Sequence, residues 1–257
     1  MSLMSTPFPL YDLPMYDLPE LAQAHEQLWR RFVALVRHGG FSGDFALTQT
    51  CGYPLATALR DRFDVIAAPV YDVPFSKSAT HCGLIVVAAA SEYTSLDDLR
   101  GARFALNSWD SNTGMNLPRR LVAPLAREGR FFGEVIETGS HVASLAAIDL
   151  GVADVASIDS VTFALLAEHR PAAVAGVRIL TTTAPSPTLP FVAPASANRR
   201  LRTLLYDSLA ATIDELRRAG SRSTLHLVGI ERASIGTYDP LLVFEREAID
   251  RGYGTLA

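Results

Sequence analysis

From Leu84 to Ala90 every side chain is apolar, between Gly83 on one side and Ser91 on the other. The run is far too short to span a bilayer, which takes about 20 residues as a helix. An amphipathic helix or a half-exposed strand would interrupt it with polar residues at regular intervals. It therefore predicts a central strand over Leu84 to Ala89, covered on both faces. Such a strand needs neighbours, and the chain offers them. Phe45-Ala46-Leu47 (stopped by the polar Thr48-Gln49-Thr50), Val65–Val70, Phe104–Asn107, Val135-Ile136, Ala153–Ile158 and Val177–Leu180 all read as short strands. Helical patterns lie between them. Pro19-Glu20 opens one, with Leu21, Ala24, Leu28, Phe32 and Leu35 on one face and Gly39-Gly40 at its end. Others follow Gly114, run from Ser140 to Gly151, and cover Asn198 to Ala219, while Thr181–Pro190 reads as loop. Pro118 either sits near the start of its helix or kinks it. The alternation predicts an α/β protein with one or two mostly parallel sheets wrapped by helices.

At 257 residues the chain can form one large domain or two lobes. A net charge of −4 argues against nucleic acid as a partner, since that would favour a basic face. It does not exclude a small anion, which backbone N–H groups at a helix start can hold without net positive charge. The only cysteines, Cys51 and Cys82, imply no disulfide framework, and a reduced pair is expected. Met1–Leu10 lacks a basic start followed by an apolar stretch, so a cytoplasmic location is expected for the chain as given, and a periplasmic one if a signal preceded it. The echo Tyr11-Asp12-Leu13-Pro14, Tyr16-Asp17-Leu18-Pro19 is too short to be a structural repeat. No cofactor motif, metal-ligand spacing or catalytic signature is present.

In parallel α/β sheets ligands gather beyond the C-terminal ends of strands, at helix starts. That rule selects Ser111, Asn112, Thr113 and Gly114, which follow a strand, open a helix and combine small side chains with unpaired N–H groups. The same residue types are ordinary helix caps, and read locally that is the role they favour. His141 stands at the next helix start, as an anion donor or a capping histidine. Asp159 ends its strand, as an acceptor for a ligand amine or hydroxyl or as the cap of the following helix. Gln49, Thr50 and Tyr53 surround a glycine turn, and Tyr71 follows a strand; each could equally serve packing.

Taken in order, several segments resemble the phosphate/phosphonate-type solute-binding proteins of ABC transporters. The carriers are Gln49-Thr50-Cys51-Gly52-Tyr53-Pro54, Leu96 through Ala105, Asn107 through Gly114, Thr138-Gly139-Ser140-His141, and Gly151 through Asp159. The resemblance implies a type II periplasmic-binding-protein-like fold: two α/β lobes with mixed, mostly parallel sheets around a ligand cleft. Lobe I would take residues 1–89 and 192–257 and lobe II residues 90–191, with crossings near Ala89 and Phe191. It further implies that Ser111, Asn112 and Thr113 hold phosphonate oxygens and that His141 touches them too. The sequence departs from the family at the aromatic cleft positions, near Thr50 and Thr80, and its acidic position finds its nearest match in Asp159.

The function so implied is non-catalytic binding of a small oxyanion-bearing ligand, with an ABC-transporter membrane component as partner and no membrane insertion. Two alternatives share the scaffold. One is a cytosolic enzyme for a small anionic metabolite, with His141 and Asp159 as acid and base; the other is a ligand-sensing module.

Overall fold

The computed structural model describes residues 10–12, 16–218 and 224–257; Met1–Pro9, and Leu13–Met15 of the Tyr-Asp-Leu-Pro echo, lie outside them. Along the chain, β1 (Leu10–Asp12) precedes a 3-10 turn at Pro19–Leu21 and α1 (Ala22–His38). Leu28, Phe32 and Val36 form its buried stripe, and Gly40 leaves it with φ +84°, a conformation that glycine adopts freely. Next come β2 (Ala46–Gln49), α2 (Gly52–Ala56), β3 (Phe63–Tyr71), β4 (Thr80–His81) and β5 (Gly83–Ala88). The polar Thr48 and Gln49, expected to stop β2, continue it, because β1 and the returning chain pair with both edges.

After β6 (Arg103–Leu106), residues Asn112–Asn116 form one π-helical turn that leads into α3 (Leu117–Val122). Pro118 stands in the first turn of α3, where its missing N–H costs nothing. The chain continues through β7 (Glu134–Glu137), α4 (His141–Asp149), β8 (Val155–Asp159), α5 (Ser160–His169), α6 (Ala172–Ala175), β9 (Val177–Thr182) and β10 (Ser186–Pro187). It ends with β11 (Phe191–Pro194), α7 (Arg199–Arg218), β12 (Leu227–Glu231) and α8 (Pro240–Asp250).

Two five-stranded sheets result, ordered β1-β2-β11-β3-β12 and β7-β6-β8-β5-β9, with β4 and β10 pairing as a short antiparallel ribbon. The ribbon sits where the chain passes from the first sheet to the second and back. The expectation of mostly parallel sheets is corrected: β1–β2, β6–β7 and β6–β8 pair in parallel, and every other pairing is antiparallel. The reason is local. β5 and β11 are the strands that carry the chain across, so each enters its sheet reversed, and each takes an interior position with two opposed neighbours.

The expected lobe limits shift for the same reason. The apolar run of β5 lies inside the second sheet, between β8 and β9, so the first crossing falls before Gly83 rather than near Ala89. Leu84 to Val87 are fully buried there, as the run required.

The last residues also depart from a simple two-lobe division. α8 packs on both α2 and α3. Tyr53 Oη donates to Glu245 at 2.5 Å and Arg60 pairs with Asp239 on the first lobe, while Asn116 donates to the Leu241 carbonyl and Arg119 to that of Gly254 on the second. One apolar cluster accordingly joins Tyr53, Leu55, Tyr238 and Leu241 to Phe104, Phe131, Tyr253 and Leu256.

Candidate functional site

A cavity of about 570 Å³ opens between the two sheets. The first lobe contributes Tyr16 to Pro19, Gln49, Thr50, Cys51, Pro54 and Leu59; the second contributes Asn107, Ser108, Asp110 and Ser111, Gly139 to Val142, and Thr162, Leu165 and Arg170. Apart from Arg170, which follows the C-terminal end of α5, each second-lobe group lies just after a strand or in the first two turns of the helix after it.

Ser111 and Ser140 are both helix caps. Ser111 Oγ accepts the Gly114 N–H at 2.9 Å and Ser140 Oγ accepts the Ala143 N–H at 3.1 Å. Each cap satisfies one of the four N–H groups that a helix start leaves without an intrahelical partner. The capping and ligand readings of this loop are thus compatible, since a capped start still carries a partial positive charge.

Of the ten residues singled out from the sequence, Ser111, His141, Gln49 and Thr50 line the cavity. Asn112, Thr113 and Gly114 lie just behind the wall and are buried. Asn112 joins the lobes: its N–H meets Cys51 Sγ at 3.2 Å, and its amide donates to Ser186 Oγ of the ribbon at 2.9 Å. Thr113 supports the wall through its carbonyl, which accepts from Ser157 Oγ at 2.5 Å, and its hydroxyl lies 3.4 Å from His141 Nε2. Tyr53 points to Glu245, away from the cavity, and Tyr71 Oη accepts from Gln49 Nε2 beneath the floor.

Asp159 is also behind the wall. Its carboxylate lies 2.5 Å from His81 Nδ1, accepts the Thr162 N–H at 2.9 Å, and receives Tyr16 Oη at 3.4 Å. Of its two sequence readings, the helix cap is the one realised. Burial alone would raise its carboxyl, but His81 and the Thr162 N–H outweigh that and hold it below the usual carboxylate range. The same carboxylate, added to burial, keeps the Tyr16 phenol protonated.

His141 behaves oppositely. Burial lowers its pKa to about 4, with Asp159 opposing and His81 adding to the fall, so the imidazole is neutral near pH 7. Thr113 Oγ1 lies 3.4 Å from Nε2, and Nδ1 has no partner among the described residues. Gln49 Oε1, Asn107 Oδ1 and Thr162 Oγ1 are likewise buried without a partner, and all belong to cavity-lining residues. Orphaned buried polar atoms are rare in native proteins, and these four, two of them acceptor-only amide oxygens, belong to residues around one cavity. The charged lining consists of Asp17, Asp110 and Arg170, and Arg170 is already held by Glu20 through two bonds at 2.7 and 2.9 Å. A negative group in this cavity would therefore rest on neutral donors and helix starts.

A pH experiment isolates His141. The unfolded chain takes up its proton near pH 6.5, the folded one only near 4. Between those values the unfolded state binds more protons, so stability falls as pH drops, by about 3 kcal/mol in all, and no further below 4. Urea melts at pH 8, 6.5, 5 and 4 should show this loss in the wild type and a smaller one in His141→Gln, where the part due to His25, also lowered by burial, remains. An unchanged slope in the variant would contradict the assignment.

Asn107 and Thr162 were not singled out from the sequence. Asn107 directly follows β6 and Thr162 lies three residues past the cap Asp159, so the strand-end rule that selected their neighbours also covers them. Burial pushes both the Cys51 and Cys82 thiols up to about 11, and both are free. Among the described residues no cluster of His, Cys, Asp and Glu could hold a metal ion, and no helix is long and apolar enough to cross a membrane.

Residues 30–238 match the model of the ABC-transporter phosphonate periplasmic substrate-binding proteins. The chain belongs to that family. Its fold recurs in the binding protein of a phosphonate ABC transporter from Pseudomonas aeruginosa (TM-score 0.72, 13% identity, 95% of this chain and 87% of that one). It recurs in PhnD1 of Prochlorococcus marinus, solved with methylphosphonate (0.70, 16%, 95% and 98%). The alkanesulfonate-binding protein SsuA of Xanthomonas axonopodis pv. citri, solved with MOPS, is also similar (0.62, 16%, 96% and 93%). No curated protein matches the chain in sequence. Membership makes it a solute-binding protein of the ABC-transport type rather than an enzyme, and the two-lobed fold with mixed sheets is that of the family.

Proposed function

We propose that this protein binds a solute carrying a tetrahedral oxyanion, of the phosphonate or phosphate kind, and presents it to the membrane component of an ABC transporter. One observation carries the reading: the starts capped by Ser111 and Ser140 meet at one wall, beside a buried neutral His141 whose Nδ1 lacks a partner. Two helix starts suit an oxyanion's several acceptor oxygens, His141 adds a donor in the tautomer that protonates Nδ1, and the site needs no cation to hold them. Gln49 and Thr50 reach the same space from the other lobe, so a bound solute would touch both lobes and favour their closed arrangement.

The enzyme alternative would need His141 and Asp159 to act together. Asp159 is already occupied by His81, Thr162 and Tyr16 behind the wall, which leaves His141 without an acid–base partner in the cavity.

The test is thermal unfolding with phosphate, sulfate, and methyl-, butyl- and phenylphosphonate. A ligand at a hundred times its Kd adds about 2.7 kcal/mol, which for a chain this size raises Tm by about 5–10 °C. At least one phosphonate should do so. A panel that leaves Tm unmoved would overturn the reading.

A further inference from the structure

The cavity is much larger than the group that its helix starts would hold. A tetrahedral oxyanion fills roughly two to three water volumes, about 60–90 Å³, against about 570 Å³ here. That space is the size of sites for whole organic ligands. The wall also includes Leu18, Pro19, Pro54, Leu59, Val142 and Leu165, from four separate segments of both lobes. Leu165 lies one turn along α5 from Thr162, and Val142 is next to His141, so polar and apolar lining adjoin on two helices. The remaining charges give a second anion no support. Arg170 is committed to Glu20, and the carboxylates Asp17 and Asp110 stand exposed at the rim.

We infer that the solute is amphipathic: one oxyanion head joined to an uncharged aliphatic or ring body that fills the apolar part of the cavity. This rests on the binding reading above and narrows its ligand class. Inorganic phosphate and methylphosphonate would occupy only the head position. Polyanions would meet Asp17 and Asp110 with no free cation to offset them.

Isothermal titration with n-alkylphosphonates, methyl to octyl, tests the inference. Each buried methylene is worth about 0.8 kcal/mol at most, so Kd should fall about twofold to fourfold per carbon until the space is filled. Leu59→Ser and the near-isosteric Val142→Thr should flatten that dependence, lowering octylphosphonate affinity by a larger factor than methylphosphonate affinity. Methylphosphonate binding as tightly as butyl- or octylphosphonate would overturn the inference and leave the oxyanion reading standing. So would 2-aminoethylphosphonate binding more tightly than the whole alkyl series. If no member binds, both fall.

Discussion

Asp159→Ala is expected to destabilise the protein by about 3 kcal/mol, the largest effect of any single polar substitution around the cavity. The carboxylate is 1% exposed and ties together three segments distant in sequence: His81 on the ribbon, Thr162 at the start of α5, and Tyr16 ahead of α1. Alanine would leave His81, itself 2% exposed, without its acceptor, and would uncap α5 at a cost of about 1 kcal/mol. Breaking a buried ion pair usually costs about 3–5 kcal/mol because a charge is stranded. The low end is taken here because the cap and the His81 contact are lost together in one substitution.

Asp159→Asn keeps the shape of the cap and should cost about half as much. Urea denaturation measures both, and a loss below about 1 kcal/mol for the alanine variant would show that the pair does not hold the lobes' seam together. The pH dependence has a definite sign. The folded carboxyl is held below its unfolded value, so its contribution is present above about pH 4 and disappears as pH falls through the folded pKa. It is therefore lost at lower pH than the contribution of His141, and acid unfolding should proceed in that order.

Gly83→Ala should cost about 2 kcal/mol and also abolish ligand-induced stabilisation. A Cβ at Gly83 would stand 2.5 Å from Ser157 Oγ and 2.8 Å from the Thr113 carbonyl oxygen. The serine can turn aside, but the carbonyl is backbone and moves only with the segment around it. That segment carries Ser111 to Gly114, so relief of the clash would displace the capped helix start from the cavity wall. Overpacking of this kind typically costs about 1–3 kcal/mol. Gly229→Ala is the control, since its Cβ would meet nothing nearer than Val70 Cβ at 4.0 Å. Equal Tm losses in the two variants, or a ligand response retained in Gly83→Ala, would contradict this account.

Strand and helix periodicities were largely legible because burial on one or both faces imposes a fixed repeat on the sequence. The β5 run, the α1 stripe and the long α7 helix all lie within a few residues of where their patterns put them. The segment after residue 224 was legible in principle and passed over. Leu227–Ile230 is strand-like, Ser234 and Thr237 form a reciprocal cap, and Pro240 opens α8. Strand direction was not legible. A reversed strand and a parallel one show the same apolar run, and only the route of the chain between lobes decides which it is.

The candidate site divides in the same way. The sequence by itself determined that helix starts rich in Ser, Thr and Asn would follow strands at Ser111 and Ser140, because capping chemistry is local. Which of those polar groups face the cavity is not local, and the tertiary structure decided it. Asn112 turns to Ser186, Thr113 to Ser157 and Asp159 to His81, each joined to a residue 44 or more positions away. Ser111, His141, Gln49 and Thr50 are left at the cavity. A buried polar group takes whatever partner the fold brings within reach, and that partner is set by the packing of two sheets rather than by any residue's neighbours in the chain.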